Sequence, residues 1–190
     1  MGSEMCIRDS YNKIKSIAKL EECVMLVKMS YGYRVRLAPI QMITFYNAIA
    51  NGGKMISPVL IRELRRGDRV EERFETQTIA SSICSRSALR EVQRCLELVC
   101  TEGTASLYFR DTARLRVAAK TGTAQTGGKV SNGVFVAFAP YDDPQIAVAI
   151  VIEKGGSGAA LASTAVQVLN AYFSNTSASS AITGENTLLG

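Results

Sequence analysis

Val117-Ala118-Ala119-Lys120-Thr121-Gly122-Thr123-Ala124-Gln125 joins an apolar, strand-forming run to a charged and hydroxyl-rich turn. Residues 115–119 have the composition of a buried extended segment, and the next four supply one ammonium, two hydroxyls and a residue with no side chain. Gly122 lets another backbone come close, and Thr121 and Thr123 can each donate or accept a hydrogen bond. Lys120 offers positive charge to a carboxylate or to a neighbouring hydroxyl. The stretch therefore reads as a strand end against which a substrate can lie.

Working outward, residues 127–129 (Gly-Gly-Lys) form a turn. Residues 133–139 and 146–152 are two apolar strands around Tyr141-Asp142-Asp143-Pro144, which gives a hairpin. Adjacent Asp142 and Asp143 beside Pro144 read as solvated turn formers and not as a catalytic pair. Residues 155–158 form a flexible, glycine-rich break before a closing helix over 159–173, with Leu161, Ala165, Val168 and Tyr172 on one face. Residues 174–190, rich in Ser, Thr and Gly, read as a disordered tail.

On the other side, Pro39 opens a helix that ends at Ala50, with Ile40, Ile43, Asn47 and Ala50 near one face and Asn51-Gly52-Gly53 as its stop. Residues 55–64 read as a strand interrupted near its start by Ser57-Pro58, and Gly67-Asp68 turns into a second extended piece over 70–74. Both look peripheral. Ser85 or Ser87 caps a core helix in which Leu89, Val92, Leu96 and Val99 recur at helical spacing, and Gly103 follows its end. The apolar patch Cys23-Val24-Met25-Leu26-Val27 fits either a short buried strand or a helix end.

The 190 residues are 47% hydrophobic, enough for one domain with a substantial core. The formal charge is +5, from 22 Lys and Arg against 17 Asp and Glu. The densest patch, residues 62–73, mixes both signs, so it reads as a solvated hairpin or loop and not as a nucleic-acid contact. The chain has no histidine, which removes a Ser-His-Asp or Cys-His site and leaves acid–base chemistry to Lys, carboxylates, Tyr or Cys. The five cysteines (Cys6, Cys23, Cys84, Cys95, Cys100) include no Cys-x-x-Cys pair and make a metal site unsuitable. Cys95 and Cys100 fall on different faces of the core helix, so the thiols read as small buried hydrophobes and not as a disulfide. No apolar run reaches the length of a bilayer span. Met5-Cys6-Ile7-Arg8-Asp9-Ser10 looks like a translated sequencing adapter, so residues 1–10 are expected to be an assembly scar and the protein to begin upstream.

Two chemistries compete for residues 120–129. Gly122 and Gly127 have the spacing of a phosphate loop, but Gly128 stands where the lysine belongs and Val130 follows Lys129 where a hydroxyl would hold magnesium. The other is the Lys-Thr-Gly element of serine acyl-transfer enzymes that react with penicillins, here extended to Lys-Thr-Gly-Thr-Ala-Gln. The segments Ser30-Tyr31-Gly32-Tyr33 through Ala38-Pro39-Ile40-Gln41, and Thr44-Phe45-Tyr46-Asn47-Ala48-Ile49-Ala50-Asn51-Gly52-Gly53, closely resemble class B penicillin-binding proteins. Glu102-Gly103-Thr104-Ala105 and Phe135-Val136-Ala137-Phe138-Ala139-Pro140 also look like theirs. The resemblance covers about residues 29–173. Ala38 departs from the family's usual threonine and removes a capping oxygen.

The resemblance implies an α+β fold, an antiparallel sheet with flanking helices like that of penicillin-binding proteins and serine β-lactamases, present here as its C-terminal part over residues 11–173. It implies a peptidoglycan D,D-transpeptidase that cross-links stem peptides through an acyl-enzyme, binds β-lactams and needs no cofactor or metal. Lys120 would help hold the substrate carboxylate and balance charge, Thr121 and Thr123 would bind that carboxylate, and the Thr123 N–H would help complete the oxyanion hole. Gly122 and Gln125 complete the substrate-binding wall. The protein would be membrane-anchored, act outside the cytoplasm with cell-wall synthesis partners, and bind no nucleic acid. A β-lactam sensor or non-catalytic binding module of the same fold is the alternative. The family's nucleophile sits in Ser-x-x-Lys, beside a separate Ser-x-Asn. Ser16-Ile17-Ala18-Lys19 and Ser10-Tyr11-Asn12-Lys13 match only formally, Ser16 standing too close to Lys120, so both motifs are expected upstream of the chain.

Overall fold

A computed structural model of the chain describes Val24 and residues 37–110, 115–124 and 130–185, with side chains as far as residue 175. The chain divides into two units, Met1–Leu37 and Ala38–Gly190. Of the first, only Val24, helical and partly exposed, and the exposed Leu37 are described. The central sheet and the helices packed on it belong to the second.

Helix α1 (Pro39–Ala50) begins and ends where the sequence signals place it. Ala38 offers no side-chain cap, but the Gln41 side chain takes over part of that task, its Oε1 accepting from the Ala38 N–H at 2.9 Å. Beyond the helix, Gly53 N–H donates to Ala48 O at 2.8 Å. Gly52 and Gly53 both have positive φ, which closes the C-terminus without a Cβ penalty. The buried positions are Thr44, Ala48 and Ile49, while Ile40 is exposed, so the apolar face is rotated from the one the periodicity suggests. The cause is Thr44, a polar residue that becomes a core residue by donating its hydroxyl to Ile40 O at 2.7 Å.

The expected strand over 55–64 is two separate pieces. Strand β1 (Met55–Ile56) pairs with β4 (Thr78–Ala80), whereas β2 (Glu63–Arg66) pairs with β3 (Arg69–Arg73) in a hairpin of its own. Pro58 has no N–H for a ladder, and Ser57 hydrogen-bonds across to Gln77 instead, so pairing stops there. The hairpin turns at Gly67, with φ +60°, and is studded with the Arg65–Glu63, Arg66–Glu71 and Arg73–Glu63 ion pairs. It is the solvated structure that the mixed charges predict.

Helix α2 (Arg86–Thr101) is capped by Ser85, whose Oγ accepts from Ala88 N–H. Its buried residues are Leu89, Leu96 and Cys100; Val92 is exposed and Val99 only partly covered. Cys100 behaves as a buried hydrophobe, with burial pushing its thiol up to about 12 and the Glu97 charge adding to the effect. Cys84 and Cys95 are exposed, contrary to the expectation for all the thiols, and Cys6 and Cys23 lie outside the described residues.

After the short helix α3 (Ser106–Phe109) comes the central sheet, β5 (Ala118–Ala124), β6 (Asn132–Ala139) and β7 (Ile146–Ile152), antiparallel in the order β5-β6-β7. In β6 every residue from Phe135 to Ala139 is buried, because both faces are covered. Ala118 and Phe138, which are cross-strand partners, face Ile49, Leu89 and Leu96 of α1 and α2. On the other face Ala119, Phe135 and Ala137 meet Phe109 and the closing helix, where Phe109 and Phe135 stack at 6.4 Å. That helix follows a 3₁₀ turn (Gly158–Leu161) and forms α4 (Ala162–Glu185), running into the stretch that composition assigns to a disordered tail. The buried side of turn and helix together is Leu161, Ala162, Ala165 and Leu169; Val168 and Tyr172, expected on that side, are 39% and 38% exposed. Alanines at the seam let the helix come close to the sheet.

Candidate active-site wall

Lys120, Thr121, Gly122 and Thr123 are not a turn after the strand. They are the strand: β5 passes through them to Ala124, pairing Lys120 with Val136, Thr121 with Phe135, Gly122 with Val134 and Thr123 with Gly133. The apolar run alone suggests an end at residue 119, but the ladder offered by β6 carries the chain onward. A Cβ on Gly122 would make only an ordinary contact with its cross-strand partner, 3.4 Å from Val134 Cβ. Among the described residues β5 is an edge of the sheet, so half of its backbone groups face away from β6.

Strand alternation decides what the side chains can do. Lys120 and Gly122 share the face of Ala118, while Thr121 and Thr123 share the face of Ala119, their Cα atoms roughly 7 Å apart. Lys120 is exposed, and its Nζ donates to Thr121 O at 2.5 Å, so the ammonium curls over the strand backbone. Among the described residues no carboxylate comes within 4 Å of it. The Thr121 hydroxyl meets the Thr104 hydroxyl at 3.0 Å. Thr123 Oγ1 accepts from Gly158 N–H at 3.3 Å.

Gly158 packs directly on the strand. A Cβ on it would overlap Gly122 O and stand 2.5 Å from Val134 O and 2.8 Å from Gly122 N, so backbone lies directly on backbone. The glycine-rich break over 155–158 is thus a packed crossing at its far end. Upstream of it, Lys154 and Gly156, both with positive φ, donate N–H bonds to Asn132 Oδ1 and Ser131 O at 2.9 Å each.

The lead-in to β5 is held by Arg116. Its guanidinium bonds Glu97 of α2 and Asp142 of the β6–β7 turn, 2.7 Å from the latter, and lies 4.6 Å over the Tyr141 ring. The hydrogen bond to Glu97 is the chief reason its pKa is raised. Asp142 is therefore a partnered residue and more than a turn former. Arg116 and Asp142 are exposed and Glu97 is half-buried, so the cluster orients the strand more than it stabilises the fold.

Gln125, the turn at 127–129, and Ser10, Lys13, Ser16 and Lys19 all lie outside the described residues. Among the described residues no three His, Cys, Asp or Glu side chains gather where a metal could bind.

A family profile described as the penicillin binding protein transpeptidase domain matches residues 12–173. The chain belongs to this family. It is similar to Penicillin-binding protein 2A of Bacillus subtilis strain 168, with 30% identity over 143 residues, 67% of this chain and 20% of that protein. Among solved structures, the D,D-transpeptidase domain of a peptidoglycan glycosyltransferase from Eggerthella lenta superposes with a TM-score of 0.64 at 27% identity, over 73% of this chain and 32% of that one. Penicillin-binding protein A from Mycobacterium tuberculosis, as its imipenem acyl-enzyme, gives 0.63 at 25% identity, over 74% and 32%. The chain thus spans about a fifth of the length of the B. subtilis relative. Its α+β architecture is that of the penicillin-binding transpeptidases.

Within this transpeptidase fold, two residues of the wall carry no sign of that role in the sequence. Thr104 stands there only as part of a family-like segment, and Gly158 only as part of a glycine-rich break. Each touches β5 from a distant position, Thr104 from 17 residues away and Gly158 from 35. No local pattern encodes such contacts.

Proposed function

We propose that the whole protein is a peptidoglycan D,D-transpeptidase that cross-links stem peptides through a serine acyl-enzyme and is acylated by β-lactams at the same site. Its carrying observation is the Lys-Thr-Gly-Thr run on an edge strand of a penicillin-binding transpeptidase fold. Lys120 supplies the positive charge for the substrate carboxylate, and the Thr121 and Thr123 hydroxyls bind it. Gly122 keeps the wall flat, Gln125 takes part in substrate binding, and the Thr123 N–H contributes to an oxyanion hole. The nucleophile and its partner motif come from other parts of the protein. Stem peptides are polymer-borne, so the protein works outside the cytoplasm, anchored at the membrane among cell-wall synthesis partners.

The test is covalent labelling of the whole protein with a fluorescent penicillin, blocked by prior unlabelled penicillin. Lys120→Ala should slow labelling by roughly 100-fold, the scale for loss of one preorganised electrostatic group. A wild-type protein that takes no label would sink the reading. Labelling without release of a cross-linked product from stem peptides would point to a sensor instead.

A further inference from the structure

We infer that Thr104 is a positioning residue for carboxylate recognition, acting through Thr121; this rests on the transpeptidase reading of the wall. The two hydroxyls are 3.0 Å apart, a full hydrogen bond. Each hydroxyl carries one proton and two lone pairs, so the pair admits two polarities. An anion at the strand edge accepts only. It selects the arrangement in which Thr104 donates to Thr121 Oγ1 and the Thr121 proton points to the anion. In that order Thr104 holds the Thr121 hydroxyl by its oxygen, and the chain of two donors strengthens the outer bond.

Thr104 is held firmly enough for this role. Gly103 N–H donates to Leu98 O at 2.8 Å, and a Cβ on Gly103 would stand 2.8 Å from Val99 Cα, so the chain turns tightly off the end of α2. On the other side Ala105 is fully buried, its N–H bonded to Val99 O at 3.1 Å. Thr104 is exposed between two fixed neighbours, with its hydroxyl aimed at β5. Thr123 has a different support, a backbone N–H from Gly158. That donor also leaves the Thr123 proton free for an anion, so both hydroxyls on this face are set to donate.

The experiment measures the second-order rate of acylation of the whole protein by a penicillin and by its methyl ester, which lacks the anionic carboxylate. Thr104→Val keeps the shape and removes the hydroxyl; it should slow the acid by about three- to tenfold, the usual range for one hydrogen bond, and the ester by less than about twofold. Thr104→Ser should return most of the rate. In a Thr121→Val background, Thr104→Val should add nothing further. Equal slowing of acid and ester, or an undiminished effect without the Thr121 hydroxyl, overturns the inference, as does a Thr104→Val protein that reacts like wild type. Wild-type protein that is not acylated at all overturns the transpeptidase reading and this inference with it, whereas normal acylation with an insensitive Thr104 overturns this inference alone.

Discussion

Two antiparallel hairpins in this chain follow the same hydrogen-bonding rules and differ in almost everything else. β6 and β7 are covered by helices, with Phe135 and Phe138 fully buried. β2 and β3 stand in water, lined by arginine–glutamate pairs and leaving Leu64 and Phe74 exposed. Only the covered sheet carries the wall. An edge of the kind proposed must hold its hydroxyls in fixed places, and that takes packing behind the strand; backbone ladders alone do not supply it.

The contrast is sharpest for large-to-small substitutions. Phe138→Ala should cost about 3–5 kcal/mol in chemical denaturation, from lost burial and the cavity left under α1 and α2. Leu64→Ala in the outer hairpin should stay within about 0.5 kcal/mol of wild type. If the two costs came out similar, the distinction between the hairpins would be broken.

Next in size is Gly158→Ala. Its methyl group has no room against Gly122 and Val134, so the crossing must shift, at about 1–3 kcal/mol by thermal or urea unfolding. The Thr123 contact should loosen with it. Unchanged stability would mean that the backbone crossing yields more easily than its geometry implies.

A pH experiment probes the same core from another side. The Cys100 thiol is pushed up to about 12 in the folded protein from an ordinary value of 9.0. Above pH 9 the unfolded chain gives up this proton and the folded chain keeps it, so the unfolded state is favoured as pH rises through the window from 9 to 12. The loss should reach about 1.4 kcal/mol by about pH 10 and be absent in Cys100→Ala. A parallel alkaline decline in wild type and variant would remove Cys100 as its source.

Smallest is Glu63→Gln, which removes the acid shared by Arg65 and Arg73. The arginine side chains are 56% and 70% exposed, so stability should move by less than about 0.5 kcal/mol, and less still in high salt. A larger loss would show that the outer hairpin relies on its charges as the inner one relies on its rings.

What can be read from the residues alone follows a similar division. α1 from Pro39 to Ala50 and the Ser85 cap are written in adjacent residues, as are the strands meeting at Tyr141–Pro144, and they stand as the patterns indicate. The residues proposed for the wall are also easy to pick out, because Lys120, Thr121, Gly122 and Thr123 are neighbours in sequence. Its form is not. Nothing local says that β6 will extend β5 through the glycine, or that Thr44 will enter the core by bonding its own helix. The buried faces of α1 and α4 depart from the pattern for a related reason. Pattern favours large apolar groups such as Ile40, Val168 and Tyr172, while close helix–sheet packing also selects small ones such as Ala48 and Ala162 that the pattern passes over.

The crossing of Gly158 over Gly122 limits how this wall can be altered. Where a side chain meets a ligand, the fit can be retuned by adding or removing atoms. Where backbone rests on backbone there is nothing to trim, and Gly158 can take no side chain unless the strand beneath it moves. In the proposed site, ligand preference is then left to the hydroxyl and ammonium positions around the crossing, and the wall can change its chemistry more readily than its contour.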